Sequence, residues 1–243
     1  MTEQVKRKTM IVTGASQGIG AGVTKAFIKR GYNVVANSRK ITESEFAPTE
    51  RLALVDGNVG EASTAAKIAA TAMSTFGSID GVVNNAGIFF TKRFTDYTSR
   101  DFELLSETNL QGYIHITQLA VKQMLAQKTG GSVTGITSAM VENPIAGVNA
   151  SIPMLTKGGL EATTRSLAME YAKEGIRFNV VAPGIVHTPM HANDSPEFLK
   201  SLSPMGMISD VDDIVQAIVY LTEARHVTGE VLHVDAGAHN GKW

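Results

Sequence analysis

The sequence predicts an α/β fold, a single doubly wound parallel β-sheet with helices on both faces, and two features carry that prediction. Short apolar runs alternate with longer segments of helical spacing along the whole chain. That alternation is the mark of parallel strands joined by crossover helices. Between the first apolar run and the first helical segment lies Thr13-Gly14-Ala15-Ser16-Gln17-Gly18-Ile19-Gly20. A strand, a glycine turn and a helix in succession bring unpaired backbone N–H groups and the positive end of the helix dipole up to an anion. Glycine is required where a Cβ would block the tight turn or the close approach of a phosphate.

Taken in order, Met10-Ile11-Val12 is the first strand, and Val23, Phe27 and Ile28 mark a helix running to Gly31. Asn33–Ala36 and Leu52–Val55 are the second and third strands. The connection between them, Lys40–Glu50, is polar and short, which argues against a full crossover helix. Glu61–Phe76 is an alanine-rich helix, with Gly77 as its C-terminal stop. Val82-Val83 is a strand, and Phe102–Gln127 is helical, with Leu110, Ile114, Val121 and Leu125 near one face. Gly131–Thr137 is a strand, Pro153–Lys173 a helix ending at Gly175, and Arg177–Ala182 another strand. Asp210–Leu221 is the last helix and Val231–Val234 the last strand. No linker, repeat or low-complexity tract interrupts the pattern, so residues 1–243 are expected to form one domain.

Composition narrows the function classes. The 243 residues are 43% hydrophobic and 19% charged, as in a globular protein with a substantial core. A net charge of −1 offers no field to draw nucleic acid or an anionic membrane. The Lys6-Arg7-Lys8 cluster is simply a solvated start. Without cysteine there is neither disulfide nor thiolate chemistry. A polar start with no apolar h-region, and no apolar run of spanning length, predict a soluble, cytoplasmic protein. The six histidines show no metal-ligand spacing, so no metal site is expected.

In a doubly wound sheet the ligand sits outside the carboxyl ends of the strands. Strand two ends in Asn37-Ser38-Arg39. A carboxylate there would hold the ribose hydroxyls of NAD; a small hydroxyl followed by a guanidinium suits the 2′-phosphate of NADP instead. Strand four ends in Asn84-Asn85-Ala86-Gly87, which would otherwise read as a turn.

These motifs together resemble the short-chain dehydrogenase/reductase family over nearly the whole chain. Thr13–Gly20 matches its Thr-Gly-x-x-x-Gly-x-Gly signature, Asn84–Gly87 its Asn-Asn-Ala-Gly, and Asn109-Leu110-Gln111-Gly112 its Asn-x-x-Gly. Pro183-Gly184 with Thr188 matches the segment over the nicotinamide, and Asn58-Val59 stands where the family has Asp-Val against the adenine. The resemblance implies a Rossmann fold, a dimer or homotetramer, and NAD(P)-dependent hydride transfer to or from a small-molecule carbonyl or alcohol. It assigns cofactor binding to Gly14, Ser16, Gln17, Gly18, Ile19, Gly20, Ser38, Arg39, Asn58, Val59, Asn85, Ala86, Gly87, Lys157, Pro183, Gly184 and Thr188. The family's reacting group is Asn, Ser, Tyr and Lys, the last two spaced Tyr-x-x-x-Lys. Asn109, Ser138 and Lys157 match three of these, with Thr137 as an alternative to Ser138.

The tyrosine does not match. Pro153 stands four residues before Lys157, and no tyrosine occurs between Tyr113 and Tyr171. Proline suits the first turn of a helix, with Ser151 as the cap before it. A water held by Lys157, Ser138 and Asn109 is the first candidate for the lost proton donor. His187 or His191 is the second, and Tyr113, one helical turn from Asn109, the third, although core packing explains it better. Phe89-Phe90, Met140-Val141, Pro144-Ile145 and the Met190–Met207 segment are expected to bound a substrate pocket under a mobile lid. The alternative to an enzyme is a catalytically silent dinucleotide-binding sensor or partner subunit.

Overall fold

The computed structural model describes residues 7–43 and 46–241. Strand β1 (Thr9–Thr13) lies in the interior of the sheet, and all five of its residues are buried. Side chains alternate across a strand, and β1 shows this directly. Met10 and Val12 join a core with Phe27, Ile214 and Ile218, whereas Ile11 joins the opposite core with Val35, Ile68, Ile116 and Phe178. Two apolar layers on one strand require helices on both faces.

The other strands are β2 (Asn33–Ser38), β3 (Leu52–Asp56), β4 (Gly81–Asn84), β5 (Gly131–Ile136), β6 (Ile176–Pro183) and β7 (Val231–Val234). They form one seven-stranded sheet in the order β3-β2-β1-β4-β5-β6-β7, every neighbouring pair parallel. The order reverses between β1 and β4, which places the topological switch point above their carboxyl ends. Helices α1 (Gly18–Lys29) and α7 (Val211–Glu223) cover one face. Helices α2 (Ala62–Phe76), α4 (Gly112–Gln127) and α5 (Ser151–Glu170) cover the other, with α3 (Ser99–Ser106) leading into α4 and the short α6 (Pro196–Lys200) following β6. Among the described residues, β2 and β3 are joined by nothing longer than a three-residue turn, Ile41–Glu43, as the polar connection predicts.

Helix ends follow local chemistry. Gly77 closes α2 at φ +74°, a left-handed value that suits glycine. The Thr98 hydroxyl accepts from Asp101 N at 3.2 Å and the Asp101 carboxylate accepts from Thr98 N at 2.8 Å, a capping box that starts α3. Arg7 stands 3.8 Å from Glu50 with both side chains exposed, an ion pair of little worth; Lys6 lies outside the described residues.

The region expected as one helix, Phe102–Gln127, is three pieces: α3, a π-helical turn over Glu107–Gln111, and α4. Its core-facing side also differs. Val121 is buried, but Ile114 and Leu125 are 43% and 37% exposed, and Tyr113, Ile116, Ala120 and Met124 meet the sheet instead. The π turn rotates the helix at its centre, so a stripe counted from Leu110 at regular spacing drifts off the buried face. Ser151 is the first residue of α5, exposed, and Ala150 precedes it without any side-chain cap, so Ser151 does not cap the helix.

Candidate active site

The glycine turn is locked to β4. Asn85 Nδ2 donates to the Thr13 and Gly14 carbonyls, both at 3.0 Å, and the Thr13 hydroxyl accepts from Asn85 N and Ala86 N. Gly14 has φ +64°, and a Cβ there would stand 2.8 Å from Ala86 Cα; a Cβ on Gly20 would overlap the Gly14 carbonyl. Gln17 precedes α1 without a side-chain cap, and no acid sits in the first turn. The N–H groups that begin α1 therefore face outward at the switch point with a positive dipole end behind them. Thr188 reaches over this helix start, its Cγ2 3.3 Å from where a Gly18 Cβ would stand. Replacing Gly20 with Ala is expected to lower the melting temperature and weaken dinucleotide binding together, because backbone must move to admit the methyl group. The overpacking penalty is ~1–3 kcal/mol, checked by thermal unfolding beside a binding titration.

At the end of β2, Asn37 is buried and its amide donates to Val55 O (2.9 Å) and Gly57 O (3.2 Å), stitching β2 to β3. Ser38 is half-buried and Arg39 exposed. The nearby carboxylate, Asp56, accepts from Thr42 Oγ1 at 2.6 Å and Thr42 N at 3.0 Å, which holds it below the usual carboxylate range. Among the described residues no acid pairs with Arg39. Asn58 Oδ1 accepts from Gly60 N at 3.2 Å and so shapes its own turn. Val59 is buried against Gly112 at the start of α4, where a Cβ would approach to 2.8 Å.

Asn109 sits in the π turn, a distortion often found at functional sites. Its Oδ1 accepts from Ile88 N (2.9 Å), and its Nδ2 donates to Ile88 O (3.1 Å) and Thr156 Oγ1 (3.0 Å). Both amide hydrogens are thus committed, so Asn109 positions the Gly87–Ile88 backbone and α5 instead of offering its N–H groups to a water. Thr156 Oγ1 in turn donates to Pro153 O at 2.8 Å. Pro153 is buried in the first turn of α5.

Lys157 follows one turn later, 8% exposed, donating to Ile136 O at 2.8 Å. Burial draws its ammonium down from 10.5 to about 8. Its Nζ lies 3.1 Å, and Asn109 Oδ1 3.3 Å, from where a Gly87 Cβ would stand, so a side chain at 87 would fill the space between them. Ser138 lies just past β5. Its Oγ accepts from Met140 N at 3.3 Å, which leaves the hydroxyl proton to be donated elsewhere. Thr137 is buried and its hydroxyl donates to Val181 O at 3.3 Å, so Ser138, not Thr137, faces the cleft.

Other candidate acids are engaged elsewhere. Tyr113 is buried with its hydroxyl 3.3 Å from Thr164 Oγ1, and burial pushes that phenol up. Tyr97 donates to Phe90 O, Tyr32 to Glu223, Tyr171 packs on Phe178, and Tyr220 is exposed on α7. His187 stands 3.5 Å from Asp210 and is 66% exposed; His191 pairs with Asp194 at 2.8 Å. Among the described residues no three ligand-type side chains converge as a metal site, and no helix is long and apolar enough to cross a membrane.

A cavity of about 40 Å³ opens beside Ser138, lined by Met140, Asn143, Ile145, Pro183–Ile185, Leu202 and Ala238. Met140, Ile145 and the Leu202 segment fall within the expected boundaries. Phe89, Phe90, Val141 and Pro144 do not line it, and Asn143 and Ala238 were missed, because nothing local in the sequence marks a contact across 95 residues.

A seven-stranded parallel sheet with a glycine turn and an open helix N-terminus at its switch point defines a Rossmann-type fold built for a dinucleotide. Residues 14–239 match the profile described as enoyl-(acyl carrier protein) reductase. The chain is 34% identical to carbonyl reductase family member 4 of Xenopus tropicalis over 233 residues, 95% of this chain and 97% of that protein. Among solved structures, ElxO with NADP bound superposes with a TM-score of 0.89 at 26% identity, covering 96% of this chain and 99% of the other. A 3-ketoacyl-(acyl-carrier-protein) reductase from Brucella melitensis, complexed with NADH, gives a TM-score of 0.89 at 26% identity, covering 96% and 98%. The chain belongs to the short-chain dehydrogenase/reductase family and is an oxidoreductase of the class acting on CH–OH or C=O groups.

Proposed function

We propose that this protein is an NADP(H)-dependent oxidoreductase that moves hydride to or from a small carbonyl or alcohol, with Pro153 where the family has its tyrosine acid. One observation carries the reading: the α1 N-terminus, the Asn85–Gly87 backbone, Lys157 and Thr188 converge at one end of the sheet. The residues fit the cofactor: Gly87 keeps clear the space beside Lys157 Nζ and Asn109 Oδ1, and Gly14 and Gly20 let the turn pack against Ala86 so that the start of α1 stays open. The relatives named above include proteins solved with NADP and with NADH.

In this reading the backbone from Ser16 through Ile19 receives the pyrophosphate. Ser38 and Arg39 receive the 2′-phosphate, and Asn58 and Val59 border the adenine. Lys157 holds the ribose, with Pro183, Gly184 and Thr188 closing over the nicotinamide. When bound, the dinucleotide supplies or takes up the hydride at its C4. Ser138 donates a hydrogen bond to the substrate oxygen, and a water between Ser138 and Lys157 carries the proton. Asn109 keeps this geometry through Ile88 and Thr156.

The reading is tested by titration with NADPH and NADH, followed by hydride exchange with a panel of ketones, aldehydes and imines. Saturable NADPH binding without turnover on any of them would count against it. Replacing Arg39 with Ala should weaken NADPH binding by roughly 10–100-fold while leaving NADH nearly unchanged, the loss of a charge-assisted pair of ~1.5–3 kcal/mol. Equal losses for both cofactors would remove the case for NADP. Phe102, Ile114, Leu155 and Met169 stand exposed on α3, α4 and α5. These apolar side chains support a homodimer or homotetramer, which sedimentation velocity would decide.

A further inference from the structure

The turn after β7 is firmly held. Its residues Gly237–Gly241 are gripped from three directions. From the loop after β5, Asn143 Nδ2 donates to Ala238 O at 2.7 Å and lies 3.4 Å from Gly241 O. From the end of β7, the buried Asp235 carboxylate accepts from Gly237 N (3.0 Å) and His239 N (2.7 Å) and stands 2.9 Å from His239 Nδ1. From the segment after α6, Pro204 packs so close to Gly237 that a Cβ there would stand 2.8 Å from its Cγ. The His239 ring also stacks on His233 at 3.9 Å, and His233 Nε2 lies 3.5 Å from Glu142, next to Asn143.

These contacts fix Ala238, 7% exposed, as part of the wall of the cavity beside Ser138. Pro183–Ile185 form the side where the nicotinamide segment runs, and Met140 and Ile145 form another. The lining is apolar apart from Ser138 and Asn143, and the Asn143 amide is turned onto the tail. An apolar cavity of ~150 Å³ takes benzene, so one of about 40 Å³ has room for a group of one or two heavy atoms.

We propose that the latched C-terminal turn is the specificity wall of the site, with Ala238 setting the largest group that can stand beside Ser138. The substrate class is a carbonyl compound, or its alcohol, carrying one compact apolar group of methyl to ethyl size. Asn143 is a positioning residue that acts through the turn. This inference rests on the chemistry proposed above.

The probes are aryl ketones in which the aryl side is constant and the other side grows: acetophenone, propiophenone, isobutyrophenone and hexanophenone. Wild-type protein is expected to favour the first two over hexanophenone by at least tenfold in kcat/KM with NADPH. Ala238→Gly should raise the hexanophenone-to-acetophenone ratio about tenfold, and Ala238→Leu should lower the propiophenone-to-acetophenone ratio by a similar factor. Asn143→Ala should broaden specificity like Ala238→Gly and speed amide hydrogen exchange at residues 237–240 more than tenfold, with α5 unchanged. Saturation-transfer NMR on the NADPH complex measures binding of the same ketones without turnover. Ratios and binding order unaffected by both Ala238 substitutions would overturn the proposal. Absence of turnover with size-graded binding intact would leave it standing and overturn only the chemistry.

Discussion

Replacing Lys157 with Met is expected to make the cofactor-free protein more stable while weakening its hold on a nicotinamide dinucleotide. The Lys157 ammonium is buried, and its fall from 10.5 to about 8 corresponds to ~3 kcal/mol of penalty on the charged form. Methionine removes that penalty at similar volume but leaves Ile136 O without its 2.8 Å donor, a loss of ~1–3 kcal/mol. The net gain at neutral pH, up to ~2 kcal/mol, would raise the melting temperature by as much as several degrees. Between pH 8 and 10.5 the unfolded chain binds the lysine proton and the folded chain does not, so wild-type stability rises with pH across that window. The Lys157→Met variant lacks this rise. Subtracting its unfolding free energy from that of the wild type, point by point in pH, isolates the lysine from the buried tyrosines. A flat difference from about pH 7 to 10.5 would show that Lys157 is not a buried cation. Dinucleotide affinity should fall by ~10–100-fold, the worth of a charged hydrogen-bonding group.

Replacing Pro153 with Tyr is expected to raise reduction of simple ketones by ~10²–10⁴-fold, the usual contribution of a positioned proton donor. Residue 153 stands one turn before Lys157 in α5, so a phenol there would project along the same face as the amine. The helix should tolerate the change, since position 153 lies in its first turn and Thr156 needs only the backbone carbonyl of 153. A gain of this size over a slow but measurable wild-type rate fits a water standing in for the phenol, whereas a gain from no wild-type turnover at all would favour a dinucleotide sensor or partner subunit. Brisk wild-type turnover with a slower variant would mean that Ser138 and Lys157 already manage the proton. NADPH affinity, measured beside the rates, separates a chemical effect from a repacked site.

The sheet was legible because each strand is an apolar run bounded by turn residues, and the strand-end motifs were legible because their chemistry is local. Thr13 and Gly14 do meet Asn85 and Ala86, as their positions at the ends of β1 and β4 require. Regular spacing could not reveal the π turn at Glu107–Gln111, which displaced Ile114 and Leu125 from the buried face. Nor could it show that Asn109 has both amide hydrogens engaged, because Ile88 and Thr156 are distant in sequence. The pocket wall at Ala238 depends on Asn143 and Pro204, and neither residue announces its partner. Local pattern encodes elements and helix ends; long-range polar contacts set the details of the site.

The interlock of the glycine turn with β4 bears on how this protein could drift. Gly14 and Gly20 are demanded by Ala86 and by each other, so selection for folding alone would preserve them even after a ligand was abandoned. Lys157 is the opposite case, a residue whose burial weakens the empty protein. Its presence is therefore the better sign that the pocket is used, because a protein with no such use would gain stability without it.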